Sequence, residues 1–251
     1  MTFSIVARDP ETGDFGIAIA SKALAVGAIA PYSRAGVGAI STQAMPNVAY
    51  GPDGLARLAA GEEAERTLTA LVAADSMRAS RQAGIVDAAG RAATFTGASC
   101  MDWAGGKAAP GVAVQGNILV GPAVVDEMLA TYGTATGSSP RRLLAALRAG
   151  DAAGGDSRGR QSAALLVVRE KGGLGGLNDR WIDLRVDDHT DPTTEIERLL
   201  ALFEQQTNLL DPANLAKIGS ALASTLKSAI ASAGSPKGPL DGTLTASDAA
   251  D

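Results

Sequence analysis

The opening stretch TFSIVARDPETGDFGIAIA, residues 2–20, decides the fold class because it predicts a β-hairpin. Two strand-like runs, residues 3–8 and 15–20, flank a turn segment that contains a proline and a glycine. In the second run the large side chains of Phe15, Ile17 and Ile19 share one face, and the small residues between them share the other. A face of small residues lets another layer of structure, or a substrate, approach the backbone closely.

The rest of the chain predicts further short strands, with helices grouped in blocks between them. The strands are predicted at residues 36–42, 84–87, 91–96, 111–115, 162–169 and 181–187, and the helices at 52–75 (interrupted near Gly61), 122–132, 140–149, and after Asp191-Pro192 and Asp211-Pro212. Hairpins form antiparallel sheets. We therefore expect an α+β fold of two antiparallel sheets packed face to face with helices outside, although a two-layer α+β sandwich agrees with the pattern equally well.

The composition changes toward the C-terminus. An apolar stripe at residues 215–230 predicts one more helix, suited to a partner subunit, a membrane surface or the core. From residue 232 onward, Gly, Pro, Ser and Asp predict a disordered tail. We place a boundary near residue 205, which gives a domain at 1–205 followed by a C-terminal helix and disordered tail at 206–251.

Composition excludes several classes of function. The 251 residues carry a net charge of −5 and no cluster of Lys and Arg, so we expect no nucleic-acid partner. No apolar run reaches the about 18 residues that a membrane span needs, and no secretory signal is visible, so we expect a cytoplasmic protein with no membrane partner. A single cysteine, Cys100, excludes an intrachain disulfide, and a single histidine, His189, excludes His-rich zinc sites. We expect neither a metal nor a cofactor.

Thr2 is the residue most suited to catalysis. It directly follows Met1 and directly precedes a predicted strand, so removal of Met1 would leave a free α-amine beside the threonine hydroxyl. An α-amine has an ordinary pKa of about 7.7–8.0. It can take the hydroxyl proton and activate the oxygen as a nucleophile without a histidine. Threonine is also an ordinary second residue, so its position alone does not assign this role.

Several blocks of the sequence, in order, resemble one uncharacterised bacterial family. They are MTFSIVARD (residues 1–9), GIAIASK (16–22), QGNIL (115–119), GGDSRGRQSAA (154–164), NDR (178–180) and LRVDDH (184–189). Over about residues 2–205 the chain is similar to the family catalogued as domain of unknown function 1028, usually grouped with the Ntn-hydrolase-like (N-terminal-nucleophile) superfamily. The resemblance implies a four-layer αββα sandwich and an N-terminal nucleophile, and it implies no substrate.

The resemblance also implies roles for other residues. In the wider superfamily the second strand ends in an Asp-Ser-Arg-like step that orders the nucleophile. Here that step corresponds to Ala20-Ser21-Lys22, which keeps the serine and a basic residue but lacks the carboxylate. Arg34 is a further basic residue that would favour the deprotonated nucleophile. Asp156 and Ser157 would hold the α-amine, unless they only satisfy turn amides.

Further residues are expected to bind the substrate or its oxyanion. Thr42 and Gln43, at the end of the third strand, offer donors to an oxyanion, although the end of a strand explains these residues as well. The complete prediction comprises catalytic Thr2, Lys22, Asp156 and Ser157, and binding residues Ser21, Arg34, Thr42, Gln43, Asn117 and Gln161.

Three hypotheses for function remain open. The first is an Ntn-type amide hydrolase that cleaves a C–N bond of a small-molecule or peptide amide. The second is a non-catalytic relative that binds a small molecule, and the third is a structural subunit of a homo-oligomer. Cys100 has no base near it in the sequence that would make it a nucleophile. The mass of the purified protein separates the first hypothesis from the others, because a retained Met1 blocks the α-amine.

Overall fold

The predicted hairpin forms the inner part of a large sheet. The computed structural model describes residues 2–210 and, beyond them, 219–222, 224, 225 and 228. Strand β1 (Thr2–Arg8) pairs antiparallel with β2 (Phe15–Ser21). In the turn between them, the Asp9 carboxylate accepts hydrogen bonds from two backbone N–H groups at 2.9 and 3.2 Å. Gly13 supplies the left-handed φ of 77° that this turn requires.

The described residues form two sheets in which every strand pair is antiparallel. The other elements, in chain order, are β3 (Pro31–Arg34), β4 (Gly38–Ala44), α1 (Tyr50–Ala59), α2 (Ala64–Ala74), β5 (Arg81–Asp87), β6 (Ala92–Thr96), β7 (Gly105–Ala109), β8 (Val112–Asn117), α3 (Ala123–Thr134), α4 (Ser139–Ala152), β9 (Ser162–Val168), β10 (Arg180–Val186) and α5 (Pro192–Leu210). Sheet A has the order β10-β9-β2-β1-β8-β7, and sheet B has the order β3-β4-β5-β6. The predicted α+β fold with two antiparallel sheets is confirmed.

An apolar cluster lies between the two sheets. It consists of Val6, Phe15, Ile17, Ala113, Leu166 and Val168 from sheet A, with Ala39 and Val86 from sheet B. Because side chains alternate along a strand, the neighbouring Ile40 and Ile85 point to the other face of sheet B. There they join a second cluster with residues of α1 and α2, including Tyr50, Leu58 and Leu68.

Helices α3 and α4 pack on each other and on sheet A. Helix α3 contacts β7 and β8, and α4 contacts β1, β2 and β9. Gly16 of β2 is required by this packing, because a Cβ at that position would overlap the side chain of Leu143 in α4. The small-residue face predicted for β2 is therefore the face against which α4 packs.

The sequence pattern misses two strands. β3 (PYSR) has no apolar alternation, and β7 (GGKAA) consists largely of residues that disfavour strands. Both lie at a sheet edge, where hydrogen bonds to one neighbour hold them in place. The interruption expected near Gly61 in the helical stretch 52–75 is confirmed, because Gly61 lies between α1 and α2 in a left-handed conformation (φ 88°).

The C-terminal part contains one helix with clear bounds. Helix α5 begins at Pro192, directly after Asp191, as predicted. The chain divides into two compact units, one ending at Arg198 and the other beginning at Leu199. Most of the helix predicted at 215–230, and the tail predicted from 232, lie outside the described residues. No helix within the described part of the chain combines the length and apolarity needed to cross a membrane.

Candidate functional site

Thr2 lies at the start of an inner strand of sheet A. It pairs with Asn117 at the end of β8, and on its other side β2 ends at Ser21. The hydroxyl oxygens of Thr2 and Ser21 are 3.1 Å apart, within hydrogen-bonding distance. Both side chains are buried, with 6% and 2% of their surface exposed. The structure thus brings together three residues of the predicted site.

Buried amide side chains join Thr2 to sheet B. Gln43 of β4 donates from Nε2 to the carbonyl oxygen of Thr2 at 3.1 Å and to Oε1 of Gln82 at 2.8 Å. Its Oε1 accepts a hydrogen bond from the Ser4 hydroxyl at 2.7 Å, and Ser4 in turn accepts one from Gln115 Nε2 at 2.6 Å. A side chain of the opposite sheet therefore fixes the backbone of Thr2.

Gln82 is the centre of this network. Its Oε1 accepts hydrogen bonds from Gln43 Nε2 and from Asn117 Nδ2, at 2.8 and 2.9 Å. Its Nε2 donates to Thr96 Oγ1 at 2.9 Å and to the Gly116 carbonyl at 2.7 Å. We call Ser4, Gln43, Gln82, Gln115 and Asn117 the amide network; all five are at most 2% exposed. In such an environment each hydrogen bond is strong and each missing one is costly.

Stability alone does not account for the amide network. A Cβ at Gly84 would overlap the amide of Gln115, so this position accepts only glycine without a shift of the neighbours. Among the described residues, Gln115 Oε1 has no hydrogen-bond partner. A buried unpaired acceptor costs about 1–3 kcal/mol. Apolar side chains would avoid this cost, so the network favours a functional constraint at this end of the sheets.

Three non-glycine residues at the same end have left-handed backbone conformations. Ala44 (φ 69°) and Ile118 (φ 51°) directly follow the network residues of β4 and β8, and Ala25 (φ 53°) lies in the segment after β2. Such conformations cost on the order of 1–3 kcal/mol and concentrate at functional sites. Their position at the ends of the strands around Thr2 is a second indication, independent of the hydrogen bonds.

The loop between α4 and β9 holds the segment that follows β2. The buried Asp156 accepts a hydrogen bond from the backbone N–H of Lys22 at 2.8 Å. The Ser162 hydroxyl donates to the Ala23 carbonyl at 2.6 Å. The exposed ammonium group of Lys22 donates to the Arg160 carbonyl at 3.0 Å. Asp156 and Lys22 therefore fix the loop beside the end of β2, and the Lys22 ammonium is directed at this loop.

Three further predicted residues form hydrogen bonds to loop groups. The backbone N–H of the exposed Ser157 donates to the Ile118 carbonyl at 3.2 Å. Gln161 Nε2 donates to the carboxylate of Asp188 at 3.2 Å. The Thr42 hydroxyl donates to a carbonyl in the segment after β4, also at 3.2 Å. Ser157 and Gln161 lie in the loop that precedes β9, and Thr42 lies within β4, next to Gln43.

Arg34 lies at the opposite end of sheet B. It is exposed and pairs with Gly38 in the β3–β4 register, whereas Gln43, which contacts Thr2, is near the other end of β4. At about 3.3 Å per residue, Gly38 and Gln43 are separated by roughly 16 Å. The structure therefore does not bring Arg34 to Thr2, and its predicted place in the site is wrong. The register of β3 on β4 separates the two residues, and this register is not visible in the sequence.

Exposed apolar side chains lie in the loops at the Thr2 end. We define the apolar rim as seven such residues, 41–65% exposed: Leu24, Ile29, Met45, Val48, Met77, Met101 and Val120. They lie in five segments that connect to β2, β4, β5, β6 and β8 at the ends nearest Thr2. Ligand sites combine apolar walls with a few convergent polar groups, and this end of the molecule has both.

Sequence analysis includes Gln43 and Asn117 in the site but misses Ser4, Gln82 and Gln115. Gln82 and Gln115 occur inside otherwise apolar strands, RQAGIVD and VAVQGN. A polar residue at an inward position of a strand is the signal that could have identified them, because a buried amide requires hydrogen-bond partners.

Cys100 is less suited to nucleophilic chemistry than Thr2. Burial raises the pKa of its thiol, and Sγ donates to the Arg81 carbonyl at 3.4 Å. A raised pKa lowers the fraction of the nucleophilic thiolate at neutral pH.

Comparison with known proteins identifies relatives of this chain. Residues 2–196 match the model of a family described as "Family of unknown function (DUF1028)". The chain is also similar to the crystal structure of protein SPO2555 from Silicibacter pomeroyi, described as family-model DUF1028. The two sequences are 33% identical, the match covers 83% of this chain and 86% of that chain, and the TM-score is 0.73. No curated protein matches the chain.

Proposed function

We propose that this chain, which belongs to the family of unknown function DUF1028, is an N-terminal-nucleophile amide hydrolase. The family description names no activity, so the proposal rests on the arrangement of residues at the Thr2 end of the sheets. Thr2 is the nucleophile, and the substrate is a small-molecule or peptide amide. The observation that carries the proposal is the position of Thr2: its hydroxyl lies 3.1 Å from that of Ser21, and its carbonyl is held by Gln43. The reaction requires a nucleophile that is held in one position, and the α-amine of Thr2 itself would supply the base.

The packing of the elements supports the fold part of the proposal. Helices α1 and α2 contact sheet B, sheet B contacts sheet A, and α3 and α4 contact sheet A. This order of contacts agrees with the four-layer αββα sandwich of the Ntn-hydrolase-like superfamily. In that arrangement the nucleophile starts an inner strand, as Thr2 starts β1.

The proposed reaction begins once Met1 has been removed. The neutral α-amine of Thr2 accepts the proton of the Thr2 hydroxyl while Oγ1 attacks the carbonyl carbon of the amide. The tetrahedral intermediate collapses as the C–N bond breaks, and the leaving nitrogen takes the proton from the α-ammonium group. Water, deprotonated by the same amine, then hydrolyses the acyl ester on Oγ1. The carboxylic acid leaves and the Thr2 hydroxyl is restored.

Other residues of the site have distinct proposed roles. Ser21 orients the Thr2 hydroxyl, and Gln43 and Asn117 hold the Thr2 backbone. Asp156 and Lys22 are positioning residues, because their hydrogen bonds fix the segment after Ser21. Ser157, Gln161 and Thr42 stay predicted contacts of the substrate or its oxyanion. Arg34 has no part in the mechanism.

The apolar rim supports an amide with apolar groups as the substrate. Seven exposed apolar side chains lie in the loops that lead to Thr2, and the polar groups beside it are buried. A substrate whose acyl part is apolar would cover this surface and leave the scissile amide next to the hydroxyl of Thr2.

The proposal is tested with an electrophile that acylates the nucleophile without knowledge of the substrate. The full-length protein is incubated with a β-lactone bearing an alkyl chain, and adducts are located by intact mass and peptide mapping. We expect one adduct, on Thr2, which is lost in Thr2→Ala, persists at reduced rate in Thr2→Ser, and is unchanged in Thr69→Ala, a matched control on the exposed face of α2. Equal labelling of Thr2→Ala and the unmodified chain would overturn the assignment.

One observation favours a second candidate, a non-catalytic binding protein on the same scaffold. The step Ala20-Ser21-Lys22 lacks a carboxylate, and the Lys22 ammonium is bonded to the Arg160 carbonyl. The β-lactone test, extended to the variant Lys22→Met, separates the two candidates. In the hydrolase it lowers the rate of Thr2 labelling with little loss of stability, because Lys22 is exposed, whereas a binding protein shows no Thr2 labelling in either form.

A further inference from the structure

A cavity lies at the end of the sheets opposite to Thr2. Its volume is about 440 Å³, and it opens between the end of β1, the β5–β6 turn, the β7–β8 turn and the facing sides of α3 and α4. Arg8, the last residue of β1, lines the cavity, while Thr2 is the first residue of the same strand. At about 3.3 Å per residue the two positions are about 20 Å apart. The cavity is therefore separate from the site described above.

The cavity wall has an excess of positive charge. Two arginine residues, Arg8 and Arg142, line it. The buried carboxylate of Asp9 lies 3.7 Å from Arg142 Nη1 and offsets one of the two charges. Within the described part of the chain, Arg8 has no ion-pair partner. The wall thus has room for one more negative charge.

Two buried polar atoms in this wall are unsatisfied. Tyr132 is 5% exposed, and neither its hydroxyl oxygen nor Nε of Arg142 has a hydrogen-bond partner among the described residues. The Arg142 guanidinium stacks on the Tyr132 ring at 4.6 Å, which holds its plane in one orientation. Unpaired buried donors are uncommon, so each favours an absent acceptor at this position.

The rest of the lining is apolar. Leu129, Val112 and the rings of Pro10 and Pro110 form most of the remaining wall. A ligand that fits both parts has an acidic group at one end and a hydrocarbon body.

We propose that this cavity binds a small carboxylate with an apolar body. The planar guanidinium groups of Arg8 and Arg142 match the two oxygens of a carboxylate, and the Tyr132 hydroxyl supplies a further donor. The hydrocarbon part contacts Leu129 and the proline rings. A monoanion balances the single excess charge of the wall, whereas a phosphate dianion exceeds it. The inference does not depend on the activity proposed for Thr2.

The test compares two ligands that differ in charge and little in shape. Binding of 4-phenylbutyrate and of its uncharged amide, 4-phenylbutyramide, to the full chain is measured by isothermal titration calorimetry, with inorganic phosphate as a third probe. We expect the carboxylate to bind at least about tenfold more tightly than the amide, because only the carboxylate makes charge-assisted hydrogen bonds. Phosphate is expected to bind more weakly than the carboxylate.

Three variants, Arg8→Gln, Tyr132→Phe and Arg142→Gln, locate the binding, and a fourth, Arg66→Gln, is the control. Arg8→Gln and Tyr132→Phe keep most of the packing. Arg8→Gln should weaken binding of 4-phenylbutyrate about tenfold, and Tyr132→Phe should weaken it by a few fold. Arg66→Gln removes one exposed charge on α2, away from the cavity, and should leave the affinity unchanged. If Arg142→Gln fails to fold, the other two variants decide. Equal binding of carboxylate and amide, binding of neither, tighter binding of phosphate, or an unchanged affinity in Arg8→Gln would overturn the proposal.

Discussion

Replacement of Gln82 by methionine tests whether the amide network holds the two sheets together. Gln82 is fully buried, and its side chain bonds to groups of both sheets: Gln43 and Thr96 on one, Asn117 and Gly116 on the other. Methionine has nearly the same volume, so Gln82→Met removes these hydrogen bonds without creating a large cavity.

The expected loss of stability follows from the groups left unpaired. The Gly116 carbonyl loses its 2.7 Å bond, and Asn117 Nδ2 keeps only a contact of 3.5 Å to the Thr2 carbonyl. Two buried groups deprived of a partner cost about 1–3 kcal/mol each. Burial of a thioether in place of an amide returns roughly 1 kcal/mol. The free energy of unfolding should therefore fall by about 1–5 kcal/mol.

Equilibrium unfolding in urea, followed by circular dichroism, measures this loss. The m-value should stay constant, so that the change appears in the midpoint. Gln205→Met, an exposed glutamine on α5, is the matched control and should change stability by less than about 0.5 kcal/mol. In a double-mutant cycle, Gln82→Met and Gln43→Met should couple by about 1 kcal/mol or more. A loss below about 1 kcal/mol in Gln82→Met would refute the view that Gln82 holds the two sheets together.

Three further outcomes follow from the described residues. The hydrogen bond from Arg81 holds the pKa of Asp75 well below its usual range, so the ionised carboxylate stabilises the fold above about pH 4 and this stabilisation is lost as pH falls. In urea unfolding, Asp75→Asn should lower the free energy of unfolding by about 1.5–3 kcal/mol at pH 7 and by less at pH 3. A Cβ at Gly97 would overlap two backbone carbonyl oxygens, so Gly97→Ala should lower stability by about 2–3 kcal/mol. Gly133→Ala, at an open position in α3, should raise stability by about 0.5–1 kcal/mol. Thermal unfolding measures both changes, and an unchanged stability in Gly97→Ala would contradict the close approach of the carbonyl oxygens. Ala44→Gly relieves the strain of a left-handed φ of 69° and should leave stability unchanged or raise it by about 0.5–1 kcal/mol. Its control, Ala56→Gly in α1, should lower stability by about 1 kcal/mol. Equal losses of stability in the two variants would refute strain at Ala44.

The elements that sequence reasoning identifies are those with a strong local pattern. The hairpin of β1 and β2 follows from two apolar runs around a Pro- and Gly-containing turn, and the start of α5 follows from Asp191-Pro192. β7, with the sequence GGKAA, has no such pattern, because its position comes from pairing with β8. Pairing between distant segments is a property of the folded chain and leaves little trace in a short window of sequence.

The residues of the candidate site likewise divide into those that the sequence identifies and those that only the folded chain brings together. Thr2 is recognisable from its place between Met1 and a strand, and Ser21 from the family resemblance; in the structure their hydroxyl oxygens are 3.1 Å apart. Arg34 is assigned by charge alone, and the register of β3 on β4 moves it to the other end of sheet B. Gln82 is missed because its partners come from β4, β6 and β8, and their convergence depends on the packing of one sheet on the other.

The central claim is that Thr2 carries a free α-amine in the mature protein. The most direct measurement is the intact mass of the purified protein, supported by N-terminal sequencing. The proposed mechanism predicts a mass lower than that of the full chain by one methionine residue, with a sequence that begins Thr-Phe-Ser-Ile. Stoichiometric retention of Met1 would contradict it, because the amine that accepts the hydroxyl proton would then be part of a peptide bond.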